Sequence, residues 1–246
     1  MSLPVFLAAD LADRRVGDLV VLDGDEGRHA VVVKRIRPGE HVELTDGGGV
    51  RARVVVESLG KSSLTGTIED LDLLSPESPT LTIVQAIPKG DRAELAVEVL
   101  TEIGADVIVP WAAQRCVAVW KGERATRSRA RWMSTARSAA KQSRRAFWPA
   151  VAELADLDTV VRLVEEADLA VVLHEEAETP IADVAVEGVG SLVLVVGPEG
   201  GLTGQELDAL AGAGAQVVRL GSSVLRTSTA GLAGAAALLS RTPRWA

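Results

Sequence analysis

The chain reads as an α/β protein in which a mostly parallel sheet with flanking helices follows a small β-rich N-terminal part. Three observations lead there. After about residue 80, short aliphatic runs alternate with helical patterns, the arrangement of a parallel sheet. Two of these runs end at a glycine, pass through a short polar turn and enter a helix. Before about residue 72 the runs are short, β-branched and separated by glycines, as in strands joined by turns.

Residues 1–72 form the first expected domain. Leu19 to Leu22, His41 to Leu44, Arg51 to Val56 and Ser63 to Ile68 have strand composition, and Gly47-Gly48-Gly49 and Gly60 mark turns. One helix is expected around Glu26 to Ile36, carrying Arg28, Lys34 and Arg35. Residues 73–79, with Leu74-Ser75-Pro76-Glu77-Ser78-Pro79, read as a linker.

Residues 80–246 form the second domain. Leu81 to Ala86 is a strand, and Asp91 with Glu94 three positions on reads as the cap of a helix. Leu95, Val99 and Ile103 are expected to be that helix's buried stripe, and Gly104 its end. Val107 to Pro110 is the next strand. A helix through the basic segment offers Trp132, Ala136, Ala139 and Ala140 for packing. Ala170 to Leu173, Leu192 to Val196 and Val217 to Leu220 are further strands. A last helix, Ala230 to Ser240, is rich in alanine and carries Gly231 and Gly234, small residues that let a neighbour come close.

The glycine turns carry the chemistry. Leu194-Val195-Val196-Gly197-Pro198-Glu199-Gly200-Gly201-Leu202-Thr203 is followed about twenty residues later by Leu220-Gly221-Ser222-Ser223-Val224-Leu225-Arg226-Thr227. Gly197, Gly200 and Gly201 can take positive φ and let main chain approach a ligand, and Pro198 stiffens the turn. Thr203 with Glu206 reads as a capping box, and Leu202 with Leu207 as a hydrophobic staple. One such turn is equally well a plain strand–helix connection. Two in tandem at the carboxyl ends of buried strands make a pocket, where open α/β sheets bind ligands. G-x-x-x-x-G-K-[ST] and a strand followed by G-x-G-x-x-G are absent. A main-chain pocket without a phosphate cradle fits an adenosine-containing cofactor.

Charge is unevenly distributed. The net value is −8, yet Arg115 to Arg145 holds ten basic residues and one acid, Glu123, leaving −17 on the rest. Phosphate binding follows local patches, not the whole-chain sum. The structural alternative is a solvated helix face. The single cysteine, Cys116, has no internal disulfide partner; no Cys/His cluster has metal-ligand spacing. With no apolar run of membrane-spanning length and no secretion signal, the chain is expected to be cytoplasmic and free of membrane.

Gly197-Pro198-Glu199-Gly200-Gly201, Leu220-Gly221 and Leu225-Arg226-Thr227-x-Thr229-Ala230 together resemble the signature of the SPOUT methyltransferases, and within them the 16S ribosomal RNA uracil-N3 methyltransferase (RsmE) family. Gln85-Ala86, Lys89-Gly90, Glu98 to Gly104, Arg115-Cys116 and Ala140-Lys141-Gln142-Ser143-Arg144 before Pro149 agree, and Arg28 to Arg35 resembles the family's His-x-x-x-Val-Leu-Arg. Ser222, Ser223 and Ser228 depart from the commoner family residues.

The resemblance implies a PUA-like RNA-binding barrel, a SPOUT domain with a trefoil knot, and a homodimer. It implies S-adenosylmethionine as cofactor, no metal, and 16S rRNA, within the small ribosomal subunit, as partner. His174, Val196, Gly197, Glu199, Gly200, Gly201, Leu220, Gly221, Leu225, Thr227 and Thr229 would line the cofactor site. Arg226 would stabilise the anion formed at uracil, and Glu199 would orient groups or accept a proton; the structural alternatives are a loop-tying ion pair and a turn cap. Arg28, Lys34, Arg35, Lys89, Arg115, Arg124, Lys141, Arg144 and Arg145 are expected to meet RNA. Competing readings are ribose 2′-O methylation, a non-catalytic assembly factor and a small-molecule enzyme, the last opposed by the basic segment.

Overall fold

A computed structural model of the chain describes residues 3–90 and 92–245. It divides into two compact units, Met1–Pro76 with Ala140–Trp148, and Glu77–Ala139 with Pro149–Ala246.

In the first unit, β1 (Val5–Leu7), β2 (Leu19–Leu22), β3 (His41–Thr45), β4 (Val50–Leu59) and β5 (Leu64–Leu73) form one sheet in the order β1-β3-β4-β5-β2. Only β1 and β3 run parallel. Register shifts at Arg53/Val54 and Val56/Ser58 bend the long β4–β5 pair. The alternation of β4 buries Val50, Ala52, Val54 and Val56 against Phe6, Leu44, Leu64 and Ile68. The expected helix is broken into α1 (Gly24–Arg28) and a π-helical turn, His29–Val33. That turn keeps Ala30 buried and leaves Val32, Val33, Lys34 and Arg35 exposed.

Residues 140–148 belong to this unit although they follow the basic segment. The Gly49 amide donates to Ala146 O at 3.1 Å and the Trp148 amide to Gly47 O at 2.9 Å. A Cβ on Gly49 would stand 2.5 Å from Phe147 Cζ, so the glycine is where the aromatic ring seats. Linear reading from residue 80 onward has no signal for this return.

The second unit has a fully parallel sheet. Its strands are β6 (Thr80–Ala86), β7 (Val107–Trp111), β8 (Ala150–Val151), β9 (Leu169–Leu173), β10 (Ser191–Val196) and β11 (Gln216–Val218), in the order β11-β9-β10-β6-β7-β8. Helices are α2 (Arg92–Glu102), α3 (Glu123–Gln142), α4 (Leu157–Glu166), α5 (Gly204–Gly212) and α6 (Thr227–Leu239). Strand side chains alternate between faces. Leu192, Leu194 and Val196 of β10 join one core with Leu100, Trp132 and Leu238, while Val193 and Val195 join the other with Val160 and Leu210. Both faces are covered, which is why these strands read as unbroken aliphatic runs.

The buried residues of α2 are Ala96, Val97, Leu100 and Thr101, while Leu95 is exposed. Leu95 therefore faces away from the core and Val99 is half-buried, while Ile103, just beyond the helix, packs against the core as expected. Asp91, the expected cap, lies outside the described residues. The close packing of α6 has a visible cause: a Cβ on Gly231 would stand 2.8 Å from Leu100 Cδ2, and one on Gly234 3.1 Å from Leu194 Cδ2.

Candidate active site

Strands β6 and β10 lie side by side, but their chains leave in opposite directions, β6 toward β7 and β10, through α5, toward β11. Such a reversal opens a crevice beyond the strand carboxyl ends. A cavity of about 450 Å³ occupies that place, and its walls come from the segments following β6, β9, β10 and β11. Its size falls within the roughly 300–1,000 Å³ of small-molecule sites.

The first glycine turn is one wall. Thr203 caps α5 by accepting from the Glu206 amide at 3.2 Å, and Glu206 Oε2 accepts from the Thr203 amide at 2.8 Å. Leu202 and Leu207 share one apolar cluster, as a staple requires. The turn itself closes by Gly201 N donating to Pro198 O at 2.9 Å, with Gly201 at φ +72°. Gly200 is needed for space: a Cβ there would lie 3.0 Å from Arg115 Cβ. In the second turn Gly221 sits at φ +143°, leading to the exposed Val224, Leu225 and Arg226.

Of the eleven expected cofactor residues, nine border the cavity; Gly200 and Thr229 do not. Gly200 backs on to Arg115, and Thr229 faces its own helix, its hydroxyl donating to Arg226 O at 3.3 Å. His174 follows β9; its Nδ1 accepts from the Glu176 amide at 3.3 Å. Arg92, Glu175 and Val224 also line the cavity. Arg92 and Glu175 carry no motif in sequence, and Val224 lies within the second glycine turn without having been expected at the cofactor site.

The two expected catalytic groups differ in restraint. Glu199 Oε1 accepts from the Lys89 amide at 3.1 Å, which ties the glycine turn to the segment after β6. Arg226 is the N-cap residue of α6 and borders the cavity. Among the described residues no carboxylate pairs with its guanidinium, so the loop-tying ion pair has no support.

The basic segment is more occupied internally than its charge suggests. Arg115 Nη1 donates to Gly200 O at 3.2 Å and Leu202 O at 3.3 Å. Arg129 grips Val151 O and Ala152 O and pairs with Glu153 at 2.8 Å; Arg127 pairs with Glu123 and Arg131 with Glu94. Lys141 pairs with Glu26 at 2.6 Å, and Arg144, at φ +58°, donates to Leu3 O at 2.9 Å. Arg145 is half-buried, and its carbonyl accepts from Trp148 Nε1 at 3.1 Å. Lys121, Arg124 and Arg137 are exposed, Arg124 beside a smaller cavity of about 230 Å³ floored by Trp120 and Trp132. In the first unit Arg28, Lys34 and Arg35 are exposed.

Burial pushes the Cys116 thiol above its ordinary range, with the nearby Glu199 and Glu206 adding to the shift, so it is a poor nucleophile. Among the described residues no group of three or more His, Cys, Asp or Glu side chains is placed to hold a metal ion, and no helix is long and apolar enough to cross a membrane.

Residues 76–239 match the family model described as an RNA methyltransferase domain, and residues 22–69 one described as an RNA methyltransferase PUA domain. The chain is similar to the ribosomal RNA small subunit methyltransferase E of Mycobacterium bovis, 48% identical over 93% of this chain and 89% of that one. Among solved structures it resembles a ribosomal RNA small subunit methyltransferase E from Neisseria gonorrhoeae bound to S-adenosyl methionine, with TM-score 0.86 and 31% identity over 97% and 98% of the two chains. It also resembles a Legionella pneumophila methyltransferase in complex with the cofactor SAM, with TM-score 0.88 and 26% identity over 98% of each chain.

Proposed function

Because this chain belongs to the RNA methyltransferase family, we propose that it methylates N3 of a specific uracil in the 16S RNA of the small ribosomal subunit, with S-adenosylmethionine as methyl donor. The observation that carries this reading is one cavity bordered by both glycine turns, with Arg226 at its rim and, among the described residues, no carboxylate paired with it. The residues fit the cofactor. Gly197, Gly201, Leu220 and Gly221 line the cavity, where main chain is the proposed partner of an adenosine and an amino-acid group, and Gly201 and Gly221 hold conformations that side chains disfavour. When bound, S-adenosylmethionine supplies a methyl group on a sulfonium, which transfers without a metal.

The protein's own part is to hold the uracil and to move its N3 proton. N3 is a poor nucleophile while protonated. Arg226 is proposed to donate to a uracil carbonyl oxygen, where negative charge gathers as the N3–H bond breaks. Glu199 has one oxygen committed to the Lys89 amide, and its other oxygen is the proposed proton acceptor. Fixing both groups on turns braced by neighbouring loops provides the alignment that this kind of displacement depends on.

For RNA, the exposed Arg28, Lys34 and Arg35 and the half-buried Arg145 of the first unit, and independently the exposed Lys89 and Arg124 of the second, are the proposed phosphate ligands. The boundaries 1–72, 73–79 and 80–246, a homodimer, the trefoil knot and a cytoplasmic setting complete the proposal.

Transfer of label from S-adenosylmethionine to isolated small subunits, compared with naked 16S RNA, tests it. Transfer to either substrate supports an RNA methyltransferase. Cofactor and RNA binding without transfer would favour an assembly factor.

A further inference from the structure

We infer that Arg115 is a positioning residue for the first glycine turn, acting on capture of the methyl donor and not as an RNA ligand. The inference rests on the cofactor reading above.

Arg115 sits in the segment that follows β7 and does not border the cavity. Its Nη1 donates to two carbonyl oxygens of the turn, Gly200 O at 3.2 Å and Leu202 O at 3.3 Å. Two carbonyl dipoles converging on one point repel, and a cationic donor between them removes that repulsion while making two charge-assisted hydrogen bonds. The absence of a side chain at Gly200 makes room for this segment: a Cβ there would stand 3.0 Å from Arg115 Cβ and 3.1 Å from Arg115 O.

The arginine is itself held. The Gln114 amide donates to buried Glu206 Oε1 at 2.8 Å, and the Ala112 amide to Ala155 O at 3.0 Å. Glu206 therefore ties the Arg115 segment to the start of α5, the helix that the turn enters. Glu199 also accepts from the Lys89 amide, in the segment after β6. The turn is thus clamped from the loops after β7 and after β6, which fixes the main chain that faces the cavity.

The test uses Arg115→Ala, Arg115→Lys and Arg115→Gln in the full chain. Wild type must first bind S-adenosylmethionine by titration calorimetry; failure there would sink the cofactor reading itself. Given binding, Arg115→Ala is expected to raise Kd and KM for S-adenosylmethionine about tenfold, the scale of losing bonds to a charged donor. kcat at saturating cofactor is expected to change by less than about twofold. Arg115→Lys, with charge but shorter reach, and Arg115→Gln, with an amide donor but no charge, should recover only part of the loss. The salt dependence of RNA binding should be unchanged in all three. An unaltered cofactor KM, or a salt slope reduced by about one unit, would overturn the inference and make Arg115 a phosphate ligand.

Discussion

The side-chain amide of buried Gln85, at the end of β6, donates to the carbonyl of Thr227 at 3.3 Å, 142 residues later in the chain. The first turn of α6, which Arg226 opens, is therefore pinned to the centre of the sheet beside Val196, the β10 partner of Gln85. An exposed arginine on a fixed backbone is suited to meeting charge that develops at a defined point.

Arg226→Ala should accordingly lower kcat by about 10²- to 10³-fold, the scale seen when one donor to a developing anion is removed. The Kd for S-adenosylmethionine should move far less. Turnover near wild type would remove Arg226 from the mechanism.

Gly49→Ala should destabilise the first unit. The new Cβ would overlap Phe147 Cζ at 2.5 Å and Cε1 at 2.7 Å, on a residue at φ +109°. Overpacking costs about 1–3 kcal/mol, and the unfavourable φ adds about 1–2 kcal/mol. Denaturant unfolding measures the loss, and Phe147→Leu in the same chain should recover part of it.

Arg244 closes the C-terminal end of the second unit. Its almost fully buried guanidinium donates to Asp106 at 2.7 Å, Glu77 at 2.8 Å, Pro79 O at 2.8 Å and Gly104 O at 2.6 Å. Asp106→Ala leaves part of that cation unmatched and should cost about 3 kcal/mol, the lower end for a broken buried pair because Asp106 is partly solvated. The double variant Asp106→Ala/Arg244→Met should be more stable than Asp106→Ala alone. Equal melting temperatures for the two would show that the unmatched cation costs nothing.

Asp168 accepts from the Ser191 hydroxyl at 3.0 Å and from the Ser191 and Gly190 amides at 2.8 and 3.1 Å, and these bonds hold its pKa below the ordinary carboxylate value. A lowered pKa contributes stability that is full above the unfolded value, about 3.9, and is lost as pH falls through the folded one. The urea midpoints of wild type and Asp168→Asn should therefore differ at pH 7 and converge at the acid end of this window. A gap independent of pH would exclude the carboxylate as its source.

Much of the second unit is legible in sequence because its strands are continuous aliphatic runs and its helix starts carry caps, as Thr203 and Glu206 do. The glycine turns are legible for the same reason. Short or irregular elements escape: β1 and β8 span three and two residues, and the helix near Ala30 changes to a π-turn. Long-range side-chain work escapes too. Arg115 reads as one cation among ten, and only the fold places it behind Gly200, 85 residues away. Lys141 and Arg144 likewise contribute to a basic run on paper while in space they meet Glu26 and Leu3. The proposed knot and the proposed dimer have no periodic or local signature at all.

Base methylation at N3 leaves a distinct nucleoside, which mass spectrometry of digested 16S RNA detects. Small subunits lacking the native modification are incubated with the protein and S-adenosylmethionine, and the RNA is digested to nucleosides. N3-methyluridine, absent with Arg226→Ala, is the expected product. A 2′-O-methyl nucleoside in its place would contradict the reaction assigned here while leaving the fold and the cofactor site standing.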